Sequence, residues 1–330
     1  MYRSLVFFLF VFIAACGAPV KHYNDQIYVK SIDYKFIGEM LSSNTKHEFD
    51  VKVPIWVSYP DREKFSPPYP AIILLHSSWG LSAQESFYAN SFRELGLAVY
   101  AIDSFSPRGV ARTSIDQSLV SSASMMQDAY QVLDYLRNEP TINEQKVAVM
   151  GFSKGGIVAF YSAFNRINEA ANNDSQTFAA HIAYYPWCGM RLHDMSITGA
   201  PILIQGGEKD IVTPVKKCEQ LINEELTEES KQAITIKYHP KARHAFDHPI
   251  LARIPFVLSL NAQVPALCDL RENEYGDFIE KYSNKYITGE NIKSILEECS
   301  TFNGSAGRNR EATQNALDIT KKFLTEHLLN

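Results

Sequence analysis

Val147-Ala148-Val149-Met150-Gly151-Phe152-Ser153-Lys154-Gly155-Gly156-Ile157-Val158-Ala159-Phe160 is the stretch from which the rest of the chain is read. Val147 to Met150 is continuously apolar, as a strand covered on both faces must be. Ile157 to Phe164 has the apolar content of a packed helix. Between them Gly151, Ser153 and Gly155 match the pattern G-x-S-x-G, and Gly156 follows. At a strand-to-helix turn this tight the serine is held in a strained conformation, with its hydroxyl above the sheet. Gly151, Gly155 and Gly156 supply room where a side chain would collide across the bend. The helix N-terminus behind Ser153 adds backbone N–H groups and a partial positive charge where an oxyanion would form. The plain alternative is a glycine-rich turn that only packs a helix on a sheet.

Outward from this turn, the continuously apolar runs Ala71–Leu75, Leu97–Ile102, Phe178–Tyr185 (broken by His181) and Pro201–Ile204 read as further buried strands, and Ala233–Tyr238 as another. The spacing predicts helices over about 83–95, 121–138, 154–167, 214–228 and 310–329, the fourth with Pro214 in its first turn. Two earlier runs, 27–37 and 49–59, read as antiparallel strands joined by Ser42-Ser43-Asn44-Thr45. Phe49, Val51, Val53, Ile55 and Val57 recur with period two, and Pro54 suggests an edge position or a bulge. Alternating strands and helices after an antiparallel opening pair give an α/β fold with a mostly parallel, doubly wound sheet. Residues 249–307 do not fit that alternation and read as an insertion or cap beside the site. No internal repeat is visible.

A serine hydroxyl is a weak nucleophile until a base takes its proton, and the base must be held by a third group. Ile202-Leu203-Ile204-Gln205-Gly206-Gly207-Glu208-Lys209-Asp210 is a strand running into a glycine turn, which delivers Asp210 at the strand's carboxyl end. His244 lies in the loop after the last strand, where the base is expected. Glu208 and Asp247 are rivals for the acid, and His239 and His248 for the base. An oxyanion hole needs two donors: the Lys154 N–H beside the serine, and an N–H from the loop His76-Ser77-Ser78-Trp79-Gly80. Ser78 is the expected donor, with Ser77 and Trp79 as neighbours in contention. Ser82 is placed to cap the helix that follows.

The chain has 330 residues, a formal net charge of −5, 45% hydrophobic and 21% charged residues. That composition excludes wholesale disorder, and the absence of basic blocks argues against nucleic acid as a partner. No His/Cys/carboxylate cluster has convincing zinc spacing, so neither metal nor organic cofactor is expected. Arg3 followed by the apolar run Leu5–Ala15 and small residues reads as a secretory signal peptide. As a helix that run would span only about 16 Å, too short for a bilayer core of about 30 Å. Ile13-Ala14-Ala15-Cys16 resembles the lipobox of bacterial lipoproteins. The resemblance implies cleavage before Cys16 and its acylation with fatty acids such as palmitate. Gly17, rather than Asp, follows Cys16, which favours the outer membrane or periplasmic face of the envelope. Of the five cysteines, Cys188, Cys218, Cys268 and Cys299 remain, and four allow three disulfide pairings. Proximity in the chain favours Cys188–Cys218 and Cys268–Cys299; four buried free thiols are the alternative.

From about Pro70 to Phe246 and in its terminal helix, the sequence resembles the dienelactone hydrolase family of α/β-hydrolases. The resemblance rests on His-Ser-Ser-Trp-Gly-Leu (76–81), Asp-Ser-Phe-Ser-Pro-Arg-Gly (103–109), Gly-Phe-Ser-Lys-Gly-Gly (151–156), Gly-Gly-Glu-Lys-Asp (206–210) and Arg-His-Ala-Phe (243–246). It implies catalytic roles for Ser153, Asp210 and His244. Dienelactone hydrolases proper have a cysteine nucleophile where Ser153 stands, and a Glu in the oxyanion loop where Ser77 stands. Both departures point away from dienelactone itself, toward a serine esterase of small-molecule esters. A peptidase of the same fold and a binding module that has lost catalysis are the alternatives. Trp79 and Arg108 are candidate substrate contacts, Arg108 being equally suited to a structural salt bridge. The expected layout is a signal peptide (1–15), a lipid-anchored tether (16–26) and one α/β-hydrolase domain (27–330).

Overall fold

Eight strands form the sheet that everything else is packed on, in a computed structural model that describes residues 25–42, 49–171, 176–253 and 257–330. They are β1 (Asp25–Ser31), β2 (Val51–Ser58), β3 (Tyr69–Leu75), β4 (Ala98–Ile102), β5 (Ile142–Phe152), β6 (Ala180–Tyr184), β8 (Ile202–Gly207) and β9 (Ile234–His239); the two-residue β7 (Met190–Arg191) lies outside this sheet. The spatial order is β1-β2-β4-β3-β5-β6-β8-β9. The β1–β2 and β2–β4 ladders are antiparallel and the rest are parallel, so the expected doubly wound α/β-hydrolase architecture is present. Register in β3 explains its unbroken hydrophobicity. Ala71, Ile73 and Leu75 pack into one apolar cluster, and Ile72 and Leu74 into the other.

One face is covered by α3 (Ser122–Arg137), α4 (Lys154–Tyr161) and α6 (Val215–Glu225), through residues such as Met126, Leu133, Phe160 and Leu221. The other carries α2 (Ala83–Arg93) and α9 (Arg310–Leu324), which bury Tyr88, Phe92, Ala316 and Leu317. Each fully buried large side chain contributes about 1.5–3 kcal/mol. The α2 helix starts where its cap is: Ser82 Oγ accepts from the Gln84 N–H at 3.1 Å, and Glu85 Oε2 accepts from the Ser82 N–H at 2.7 Å.

Tertiary contacts moved several boundaries. The first strand ends at Ser31, not Ile37, and Ile37–Leu41 forms a short helix, α1. Asp33 is drawn inward, accepting from Arg108 Nε at 3.1 Å and Ser124 Oγ at 2.9 Å, which takes the chain off the sheet. Pro54 is not on an edge strand, because β2 lies between β1 and β4. It sits just past the last β2–β4 pair, Ile55–Ile102, where its missing N–H breaks no bond of that ladder. The helix expected over 154–167 stops at Tyr161 and resumes as α5 (Asn165–Ala171). Between them the Asn165 N–H turns to the Ser196 carbonyl and the Ala163 carbonyl accepts from Thr198, so the backbone is diverted. The helix expected over 214–228 likewise ends at Glu225, and α7 (Glu228–Gln232) follows it. The terminal helix continues past α9 as a π-helical turn, Thr325–Leu329. Asp25 and Gln26, assigned to the tether, already belong to β1. The signal peptide, Cys16 and most of the Ser42–Thr45 turn lie outside the described residues.

The segment that broke the alternation has its own structure. It holds β10 (Leu258–Leu260), β11 (Leu270–Glu272), β12 (Phe278–Glu280), β13 (Lys285–Ile287), α8 (Ile292–Cys299) and β14 (Gly304–Ala306). β11 extends β7 in parallel, so a β13-β12-β11-β7 sheet grows from the core, and β10 pairs with β14. Disulfides join Cys188 to Cys218 and Cys268 to Cys299. The first ties the loop after β6 to α6, and the second ties the start of β11 to the end of α8. Among the described residues no helix is long and apolar enough to cross a membrane.

The turn between β5 and α4 is a close approach of backbone to backbone. A Cβ on Gly155 would overlap the carbonyl oxygens of Leu75 and His76, and one on Gly156 would meet the Tyr184 carbonyl at 2.6 Å. Gly155→Ala is therefore expected to lower stability by about 2 kcal/mol or more, read as a fall in thermal midpoint; an unchanged midpoint would reject this packing account.

Candidate active site

Ser153 stands at the carboxyl end of β5 with φ 52 and ψ −109, a left-handed conformation that a non-glycine residue rarely holds. Neighbouring backbone keeps it there. The Ser153 N–H donates to the Tyr184 carbonyl at 2.9 Å, and the Gly155 N–H to the His76 carbonyl at 3.1 Å. Ser153 is thereby bound to β6 on one side and to the β3 loop on the other.

The three side chains chosen from the sequence meet at this edge. His244 Nε2 lies 3.0 Å from Ser153 Oγ, and His244 Nδ1 lies 2.8 Å from Asp210 Oδ2. Asp210 and His244 are buried. The Asp210 carboxylate is oriented by the loop it caps: Oδ1 accepts the N–H groups of Val212 and Thr213 at 2.8 and 3.0 Å, and Oδ2 accepts from Thr213 Oγ1 at 3.2 Å. The imidazole is braced edge-on by the Tyr185 ring at 4.8 Å. With Nδ1 against a carboxylate, the ring presents Nε2 to the serine hydroxyl, the arrangement needed to accept its proton.

The rival residues are occupied elsewhere. Glu208 is exposed. Asp247 is buried three residues beyond His244, accepting from Tyr88 Oη and Tyr185 Oη at 2.8 Å each and from Gln84 Nε2 at 2.9 Å. Burial raises its carboxyl above the usual range. His239 meets Gln205 Oε1 at 3.0 Å, and His248 packs against Trp79. Burial pushes each of these two imidazoles down to about 4.

Ser78 and Lys154 flank Ser153 as expected from sequence, and Ser78, Lys154 and Ser153 line one cavity. The Lys154 N–H is in the first turn of α4, where it has no partner within the helix. Its side chain is buried, which pushes the amine down to about 7. The Ser77 hydroxyl accepts from the Trp79 N–H at 3.3 Å. Trp79 lines the cleft that holds Ser153 and His244. Arg108 does not belong to the site. It is 3% exposed and grips Asp128 through two bonds of 2.9 Å. It also donates to Asp33 and to the carbonyls of Ser104 and Ile32. A guanidinium whose donors are spent on buried partners is a structural pin, so the substrate-contact reading of Arg108 is corrected.

Two spaces open from Ser153. The larger, ≈ 130 Å³, is walled by apolar side chains including Phe36, Met126, Ile157, Trp187, Ile292 and Leu296. The smaller, ≈ 40 Å³, runs between Trp79, Tyr185 and His244. Sequence reasoning missed this architecture, because the wall draws on α1, α3, α4 and the inserted α8. Among the described residues no group of three or more His, Cys, Asp or Glu could hold a metal ion.

The family model of the dienelactone hydrolases matches residues 53–253. The chain belongs to the dienelactone hydrolase family. It is a carboxylic ester hydrolase, and the inserted segment lies almost wholly beyond the matched residues. No curated protein matches the sequence. Among solved structures, native esterase 2 of the planctomycete Thermogutta terrifontis aligns at TM-score 0.53 and 15% identity, covering 94% of this chain and 94% of that one. The same esterase phosphorylated by paraoxon aligns at 0.51 and 15%, over 84% and 90%. A dienelactone hydrolase-like promiscuous phosphotriesterase from metagenomic libraries aligns at 0.52 and 15%, over 92% and 98%. At such identities these are likenesses of fold.

Behind His244 a second acid sits in the cluster of Asp247. Glu85 is buried, its Oε1 has no hydrogen-bond partner, and burial raises its carboxyl to about 7. A raised carboxyl binds its proton more tightly in the folded state, so the stability it supplies is complete below about pH 4.5 and is lost as pH rises to about 7. Glu85→Gln keeps the cap geometry without the charge. Its thermal midpoint should fall less than the parent's between pH 5 and pH 8; parallel pH profiles would contradict the assignment.

Proposed function

We propose that the protein is a serine esterase that works through an acyl-enzyme, with Ser153 as nucleophile, His244 as base and Asp210 as its orienting acid. The observation that carries this reading is the unbroken contact of 3.0 and 2.8 Å from Ser153 Oγ through His244 to Asp210, with the serine in its strained turn. His244 Nε2 takes the Ser153 proton as Oγ bonds to the ester carbonyl carbon. The carbonyl oxygen becomes an oxyanion facing the N–H groups of Ser78 and Lys154. As the tetrahedral centre collapses, the bond to the alcohol oxygen breaks and His244 gives that oxygen its proton. A water molecule then repeats the sequence on the acyl-enzyme, releasing the acid and restoring the serine.

The apolar chamber suggests the substrate class. Its wall is predominantly apolar, with serines and Gln117 among the lining residues, which suits an ester with one apolar arm, and the cleft beside Trp79 and Tyr185 receives the other. The lipobox-like Ile13-Ala14-Ala15-Cys16 supports a lipid anchor at Cys16, after a signal peptide over 1–15, and hence action on the bacterial envelope.

Ser153→Ala should lower ester turnover by about 10⁴-fold or more and abolish covalent labelling by a fluorophosphonate; undiminished turnover would refute the serine route. Leu296→Trp, which fills the chamber from α8, should reduce kcat/KM for long-chain acyl esters far more than for acetate. Equal losses on both would show that the chamber does not receive the acyl chain.

A further inference from the structure

The two residues whose amides face the oxyanion in the mechanism above lie on separate elements, Ser78 in the loop after β3 and Lys154 in the first turn of α4. Their side chains converge on one atom. Ser78 Oγ donates to Gln117 Oε1 at 3.1 Å, and Lys154 Nζ donates to the same oxygen at 3.2 Å. Thr113 Oγ1 adds a third donor at 3.3 Å. The Gln117 side-chain oxygen thus faces three donors at once. Lys154 Nζ also donates to the Gln117 backbone carbonyl at 2.7 Å, so both its acceptors belong to this residue. Gln117 is fixed in turn from the inserted segment. Its N–H donates to Gln263 Oε1 at 2.7 Å, and the N–H of Gln263, a buried residue, donates to the Ser114 carbonyl at 2.7 Å.

We propose that Gln117 is the positioning residue of the oxyanion hole, its side-chain oxygen holding Ser78 and Lys154 in register while Gln263 holds Gln117. The inference rests on the serine-esterase reading. Two amides stabilise an oxyanion only if they aim at the same point before charge develops, and Ser78 lies two residues beyond the His76 carbonyl through which Gly155 ties the β3 loop to α4. A shared acceptor removes the freedom of one element relative to the other. It also gives the desolvated Lys154 amine two uncharged oxygen acceptors beside the site. The inserted segment is then part of the catalytic apparatus, although it supplies no reacting atom.

The test compares Gln117→Ala, Gln117→Glu and Gln263→Ala with the parent in the full chain. It reads kcat, KM and the affinity of a trifluoromethyl ketone, which binds the serine as a tetrahedral oxyanion. Gln117→Ala should lower kcat about 10- to 100-fold with KM little changed, and weaken the ketone by a similar factor. Gln117→Glu keeps an acceptor oxygen and should recover most of both. Gln263→Ala should show the same paired loss in smaller measure, and it carries the decision if Gln117→Ala does not fold. A kcat within about twofold of the parent's, or a fall in kcat with ketone affinity intact, would overturn the assignment. An active Ser153→Ala would instead remove the reading on which it rests.

Discussion

The backbone at Ser153 cannot relax, and most of the site follows from that. A φ of 52 at a serine is unfavourable by itself, and it persists because glycines on either side let three strands close around it. Gly155 lies against the Leu75 and His76 carbonyls, and Gly156 against that of Tyr184. The same contacts that impose the strain bring the β3 loop and the α4 N-terminus to one point. The position of the hydroxyl and that of the helix end are consequences of one packing arrangement.

The inserted segment completes what the sheet begins. β14 bridges to His244 at Ala306, and the Gly307 N–H donates to the His244 carbonyl at 3.3 Å, so the loop of the proposed base is held from outside the matched family region. Gln263 reaches the 113–117 loop, and α8 gives Ile292 and Leu296 to the chamber wall. The Cys268–Cys299 disulfide ties α8 to the strand that extends the core. The His244 loop and one wall of the chamber are therefore anchored by the same fifty-odd residues.

Behind the imidazole lies an unusual density of buried polar groups. Asp247 is ringed by Tyr88, Tyr185 and Gln84, and its charge adds to the burial that raises the Glu85 carboxyl. Tyr185 joins this cluster to the site, because its ring supports His244 while its hydroxyl binds Asp247. Buried acids with hydroxyl donors on them resist rearrangement, since moving any member leaves another unpaired. That rigidity suits a base whose ring must not turn.

The alternation of buried strands and helices, the serine turn, and the order of Ser153, Asp210 and His244 could be read from sequence because each is a local signal: continuous hydrophobicity, a glycine pattern, a polar residue at a strand's carboxyl end. Arg108 shows where that stops. Its loop sits at the right edge of the sheet, and only its distant partners, Asp33 and Asp128, reveal that its charge is already spent. Gln117 and Gln263 carry no local mark at all, being ordinary glutamines 146 residues apart. Sequence by itself determined the architecture and the three side chains, since periodicity and turn chemistry act over a few residues. Which charges are satisfied, how deep the chamber runs and which side chains converge on Gln117 were decided by long-range packing, which no short window of sequence contains.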